Sequence, residues 1–190
     1  VCLSGWRVAR GGWAPSEWRA LYDHLIQKGH GEAILKQSSL IQQSPKGNYY
    51  DTFRGRILFP IMNLQGKVIA FGGRLIADEA GLAGKQDEAR LSPHGGPKYL
   101  NSPENPVFSK RRELFGLNLA KKFIDREWPN LILVEGYMDF LVLYQYGVKN
   151  VVATLGTALG EDHVRLMKRF AEEVIVVYDG DKAGEAAALR

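Results

Sequence analysis

The sequence predicts a mixed α+β region with a basic surface, followed by a doubly wound parallel α/β unit truncated at its C-terminal side. Three observations lead there: two β-rich runs joined by a hairpin loop between 57 and 71, three apolar runs separated by helical stretches between 131 and 178, and a change of charge sign along the chain. Residues 1–130 carry 19 Lys and Arg against 12 Asp and Glu, a net of +7, while residues 131–190 carry 6 against 9, a net of −3. The boundary between the two regions is therefore placed at about 130. A basic first region suits a phosphate-rich partner, and a mildly acidic second region suits a cation site.

Other classes are set aside by composition. The longest apolar runs, Leu131 to Val134 and Val174 to Tyr178, fall far short of the ~20 residues that span a bilayer. One cysteine, Cys2, and four scattered histidines support neither an internal disulfide nor a zinc site, as suits a reducing cytoplasm. The chain opens at Val1 without a signal-like stretch and stops at Arg190 just inside a new helical pattern, and it reads as a piece of a longer protein.

In the first region, Trp18, Leu21, Tyr22 and Leu25 recur at helical spacing after Pro15, with Ser16 as the expected N-cap and Gly29 as the C-terminal cap. A second helix is expected over Glu32 to Lys36, and Ser44-Pro45-Lys46-Gly47-Asn48 reads as a turn-rich break. Ile57 to Ile61 and Val68 to Phe71 are strands joined by Asn63-Leu64-Gln65-Gly66, a hairpin loop, with Pro60 holding its strand at an edge or bulge. The Gly- and Ala-rich stretch from Asp78 to Gly96 reads as a mobile surface loop.

From Leu131 the order is strand, helix to about Tyr146 capped by Gly147, strand from Val151 to Leu155, helix around His163 to Phe170, and strand from Val174 to Tyr178. Apolar strands alternating with helices imply a parallel sheet covered on both faces with right-handed crossovers. Ligands bind beyond the carboxyl ends of such strands. The first run ends in Glu135-Gly136 and the third in Asp179-Gly180-Asp181, so three carboxylates are expected to converge if those strands are neighbours. Asp139, one turn past Glu135, can lean back towards them. Asp-Gly is also a common turn dipeptide; its pairing with Glu135 at an equivalent strand end is what points to a metal. Carboxylate oxygens are the hard ligands Mg²⁺ prefers, completed by water and phosphate.

Leu133-Val134-Glu135-Gly136-Tyr137-Met138-Asp139, Thr154-Leu155-Gly156-Thr157 and Tyr178-Asp179-Gly180-Asp181-Lys182-Ala183-Gly184 resemble the Toprim domain in its bacterial DnaG-type primase version. Toprim domains also occur in topoisomerases, recombination mediators and nucleases. Tyr50 to Ile61, Phe71-Gly72-Gly73-Arg74 and Pro97 to Glu104 are similar to the primase-specific N-terminal subdomain, and the likeness runs over nearly all 190 residues. The resemblance implies a nucleotidyltransferase that makes short RNA primers on single-stranded DNA from ribonucleoside triphosphates. It implies residues 1–130 as the template- and nucleotide-binding subdomain and residues 131–190 as an incomplete Toprim domain.

The resemblance also implies roles. Glu135 is the catalytic acid, Asp139 a supporting acid, and Glu135, Asp179 and Asp181 hold Mg²⁺, for which Mn²⁺ can substitute. Arg54, Arg56, Arg74, Lys98, Tyr99, Asn101 and Lys110 match the basic ridge and nucleotide-contacting positions. Zinc and the replicative helicase belong to domains outside this chain, and the place of action is the cytoplasm, at the replication fork. The link from Ile76 to Gly96 is longer than is usual in the family. The competing readings are another Toprim enzyme, such as a nuclease or topoisomerase-like protein, and a non-catalytic nucleic-acid-binding module.

Overall fold

The computed structural model describes residues 11–75 and 97–178. The expected loop from Asp78 to Gly96, together with Asp179 and Asp181, lies outside them. The chain divides into two compact units, which in the described residues comprise 11–59 with 70–75 and 97–106, and 60–69 with 107–178.

The first unit contains strand β1 (Gly12–Ala14), helices α1 (Ala20–Gln27) and α2 (Glu32–Gln37), and a hairpin of β2 (Ile41–Gln43) and β3 (Tyr49–Asp51). It also takes in most of β4 (Arg56–Met62) and β5 (Val68–Leu75), and β6 (Tyr99–Asn101). The sheet order is β1-β4-β5-β6, with β1 antiparallel to β4 and β6 antiparallel to β5. The β4–β5 hairpin is the one the sequence predicts. Its loop is fixed by Asn63, whose Oδ1 accepts from the N–H groups of Gln65 (3.1 Å) and Lys67 (3.0 Å). Pro60 sits in a strand that is interior by order, yet β1 pairs only with Arg56 to Leu58, so the missing N–H falls beyond β1's reach.

Two expectations are corrected here. Ser16 is not the N-cap of α1: the helix begins at Ala20, and Arg19 takes the cap position, its side chain bonding to the Asp23 carboxylate one turn on and capping none of the helix N–H groups. The N-terminal N–H groups are instead satisfied from a distance. The Asp51 carboxylate accepts from Leu21 N–H at 2.7 Å and Tyr22 N–H at 2.9 Å, thirty residues away in sequence. Residues 44–48 are not merely a break but the turn of the β2–β3 hairpin, whose three-residue strands are too short to show an alternating pattern. Gly29 does close α1, with φ +84° and His30 N–H donating to Leu25 O. Tyr22, Leu35 and Ile41 form the buried centre against which α1, α2 and the hairpin pack.

The second unit is built on a parallel sheet of β7 (Asn130–Val134), β8 (Val151–Ala153) and β9 (Glu173–Val177) in the order β8-β7-β9. Helix α4 (Tyr137–Gln145) connects β7 to β8, and α5 (Glu161–Met167) connects β8 to β9; a single turn, α3 (Leu117–Ala120), precedes them. The chain reverses across the central strand between its two crossovers, which with right-handed connections is the doubly wound arrangement expected. Leu131, Leu133 and Val152 are buried with Leu114, Leu117, Ala120 and Met167, each fully buried Leu, Val or Met side chain stabilising by ~2 kcal/mol. Phe115 packs edge-on against Tyr137 (4.8 Å) and Phe140 (5.0 Å). Gly116, at φ +83°, lies so close to Phe140 that a Cβ there would come within 2.1 Å of the ring. Val176 and Val177 on the edge strand β9 are exposed, so its apolar run is not covered on both faces by the described residues. Among those residues no helix is long and apolar enough to cross a membrane.

Candidate active site

The condition set by the sequence, that the first and third apolar strands be neighbours, is met: β7 pairs in parallel with β9, Val134 opposite Val177. Their ends are level, so Glu135 and Tyr178 are the next residues on the two strands, and Asp179 follows Tyr178 in sequence. The proximity shows in Tyr178, whose phenol is pushed above its usual pKa first by burial and then by the negative charge of Glu135.

The backbone around Glu135 is fixed from two sides. Thr154, just past β8, donates its N–H to Val134 O (3.2 Å) and its hydroxyl to Glu135 O (3.1 Å). Gly136, the N-cap of α4, donates its N–H to Asp139 Oδ2 at 3.1 Å. A Cβ at Gly136 would stand 3.2 Å from that oxygen, so glycine keeps the cap unobstructed. Asp139 is exposed and Glu135 half-buried. Among the described residues no three acid, histidine or cysteine side chains converge on a metal position; two of the three predicted ligands are not among them. What the described part supplies is one carboxylate at a strand end on a backbone held by Thr154 and Gly136. Its hard oxygen donors fit a Mg²⁺-type ion.

The basic candidates fall into two groups by what holds them. Arg74 on β5 and Tyr99 on β6 are register partners, with the guanidinium 5.9 Å from the ring centre. Lys98 and Tyr99 are exposed and Asn101 half-buried, so β6 and the residue that enters it carry a cation, a ring and an amide within four positions, with Tyr99 and Asn101 on one face of the strand. Arg54 and Arg56 are more enclosed. The Arg54 guanidinium lies 4.2 Å from the Trp18 ring centre and 5.3 Å from that of Tyr50, and it donates to Asp51 O. Arg56 is only 4% exposed and donates to the carbonyls of Pro97 (2.9 Å), Gly73 (3.3 Å) and Lys98 (3.4 Å). Lys110, in the second unit, is half-buried, and its carbonyl accepts from His163 Nε2 at 2.9 Å.

Three contributors escaped the reading of the sequence. Asp51 looks like one acid in a motif of arginines and proves to be a buried helix anchor. Thr154 was legible only as part of a motif. His163 is fully buried, its Nδ1 accepting from Gly160 N–H (3.3 Å), which leaves Nε2 as the protonated nitrogen facing Lys110. No local pattern marks a histidine for that task.

With this geometry in place, comparison with known proteins is decisive. The model of the DNA primase catalytic core, N-terminal domain, matches residues 7–121, and that of the Toprim domain matches residues 130–190. The chain belongs to the DNA primase catalytic-core family. The DNA primase of Clostridium acetobutylicum is 45% identical over 179 residues, which cover 94% of this chain and 27% of that protein. A crystal structure of a DNA primase domain from Pseudomonas aeruginosa superposes with a TM-score of 0.80 at 40% identity, covering 97% of this chain and 52% of that one. The structure of the DnaG primase catalytic domain bound to ssDNA gives 0.80 at 35% identity, over 100% of this chain and 54% of that one. The chain thus spans about a quarter of the length of the curated relative and about half of the solved catalytic domains.

Proposed function

We propose that this chain is part of the catalytic core of a DNA primase, a nucleotidyltransferase that makes short RNA primers on single-stranded DNA for replication. The observation that carries the reading is the level ending of neighbouring strands β7 and β9, which brings Glu135 beside the chain that runs directly into Asp179 and Asp181. The reaction joins the 3′-hydroxyl of one ribonucleotide to the α-phosphate of the next triphosphate, with pyrophosphate leaving. Mg²⁺, or Mn²⁺ in its place, neutralises the phosphates and lowers the pKa of the attacking hydroxyl when bound. Glu135, Asp179 and Asp181 hold it, and Asp139 keeps the Gly136 turn in place beside Glu135. Arg74, Lys98 and Lys110 contact phosphates without reading sequence, Tyr99 stacks on a base or sugar, and Asn101 hydrogen-bonds beside it. Arg54 adds positive charge next to Trp18 and Tyr50. Residues 1–130 serve template and nucleotide, and 131–190 serve chemistry. The replicative helicase and a zinc site are reached through other parts of the full-length protein, which works in the cytoplasm at the replication fork.

The test is incorporation of labelled ribonucleotides by the full-length protein on a single-stranded DNA template. Short RNA products that need both template and Mg²⁺, and vanish with a chelator, are the expected result. A protein that binds the template and makes no RNA with either ion would overturn the reading.

A further inference from the structure

We infer that Arg56 is a positioning residue that orders the Lys98–Tyr99 segment, and not a contact to template or nucleotide; the inference rests on the function proposed above for β6. The guanidinium is a rigid planar fork of five N–H donors. Here it spans two strands' worth of backbone, from Gly73 on β5 to Pro97 and Lys98 at the entry to β6. The Lys98 carbonyl also receives Leu75 N–H at 3.0 Å, so Arg56 reinforces the last rung of the β5–β6 pairing where the chain re-enters the sheet.

The neighbouring glycine fits this assignment. A Cβ at Gly73 would stand 3.0 Å from Arg56 Cδ and 2.7 Å from the Phe53 ring, so Gly73 makes room for the arginine stem. The Arg54-Gly55-Arg56 and Gly72-Gly73-Arg74 elements are therefore one packed arrangement. Arg56 supplies the clamp, Gly73 the space, and Arg74 and Tyr99 the presented side chains. Burial is the main cause that pushes the Arg56 pKa below its ordinary value, with the Arg54 charge second. A group enclosed to this degree, with three of its five N–H donors on carbonyls, has little surface left to offer a phosphate.

The test is a double-mutant cycle in the full-length protein, read by anisotropy of a labelled single-stranded oligodeoxynucleotide and by KM and kcat for ribonucleotide incorporation. Arg56→Lys keeps the charge but cannot bridge three carbonyls. It is expected to weaken binding or raise KM by ~10-fold, while in a Lys98→Ala, Tyr99→Ala background it adds less than ~2-fold, because residues acting through one another are non-additive. Gly73→Ala, which presses on the Arg56 stem, is expected to reproduce the loss and serves if an Arg56 variant fails to fold. Additive losses would make Arg56 a direct contact, and a folded Arg56→Lys protein that binds like the parent would make it merely structural; either overturns the inference. If Lys98→Ala with Tyr99→Ala leaves binding and KM unchanged, the reading of β6 itself falls and the inference goes with it.

Discussion

The parallel sheet and the antiparallel sheet hold their candidate side chains by different means. At the end of β7, strand pairing places Glu135 and bonds from the adjoining strand end and helix turn hold its backbone: Thr154 donates its N–H to Val134 O and its hydroxyl to Glu135 O, and Gly136 donates its N–H to Asp139 Oδ2. In the first unit, side chains hold backbone that is distant in sequence: Arg56 on β4 ties down Pro97 and Lys98 at the entry to β6, and Asp51 on β3 anchors α1. A strand end in a doubly wound sheet places its residue by topology, and the bonds around it steady that placement. A surface of cations and rings on short antiparallel strands needs individual long-range bonds, and each of them is a separate point of failure.

The largest effect should come from breaking the chemistry at the strand end. Glu135→Gln is expected to lower the rate of primer synthesis by ~100-fold or more while leaving template affinity within about twofold, measured by single-turnover incorporation and by anisotropy. Gly116→Ala tests the packing under α4, where the new Cβ would meet Phe140 at 2.1 Å and the backbone sits at φ +83°. A loss of about 3 kcal/mol in denaturant unfolding is expected.

Asp51→Ala strips one buried and one part-buried N–H group of their acceptor and should cost about 2 kcal/mol. Burial raises the Asp51 pKa above the ordinary 3.8, outweighing its two N–H bonds. The native state then holds this proton more tightly than the unfolded chain does, so its contribution to stability falls as pH rises from about 3.8 through the raised value. Asp51→Asn should remove that slope in unfolding curves taken across the window. The smallest effect is expected from Thr154→Val, which loses one hydroxyl bond to Glu135 O, about 1 kcal/mol, and slows synthesis several-fold without touching template affinity.

The same contrast explains what the sequence disclosed. The βαβαβ order and the hairpin at Asn63 to Gly66 were legible because periodicity and turn residues are local signals, whereas the pairing of the Glu135 strand with the Tyr178 strand entered only as a condition that the fold then met. Ser16 was read as a cap because capping residues are sought next to their helix, and the true acceptor, Asp51, is thirty residues away on β3. Arg56 was grouped with the phosphate-binding cations because an arginine's burial is not written in its neighbours: Gly55 and Ile57 say nothing of Pro97. His163 stayed unremarked for the same reason, since its bond to Lys110 O crosses fifty-three positions.

The most direct measurement compares Glu135→Gln with Lys98→Ala in the full-length protein, each assayed for template affinity and for the single-turnover rate at saturating template and nucleotide. The expected result is a crossing: Glu135→Gln keeps affinity and loses the rate, and Lys98→Ala loses affinity or raises KM and keeps most of the rate at saturation. If both variants lose affinity and rate together, the assignment of chemistry to the β7 end and of substrate holding to β6 is contradicted.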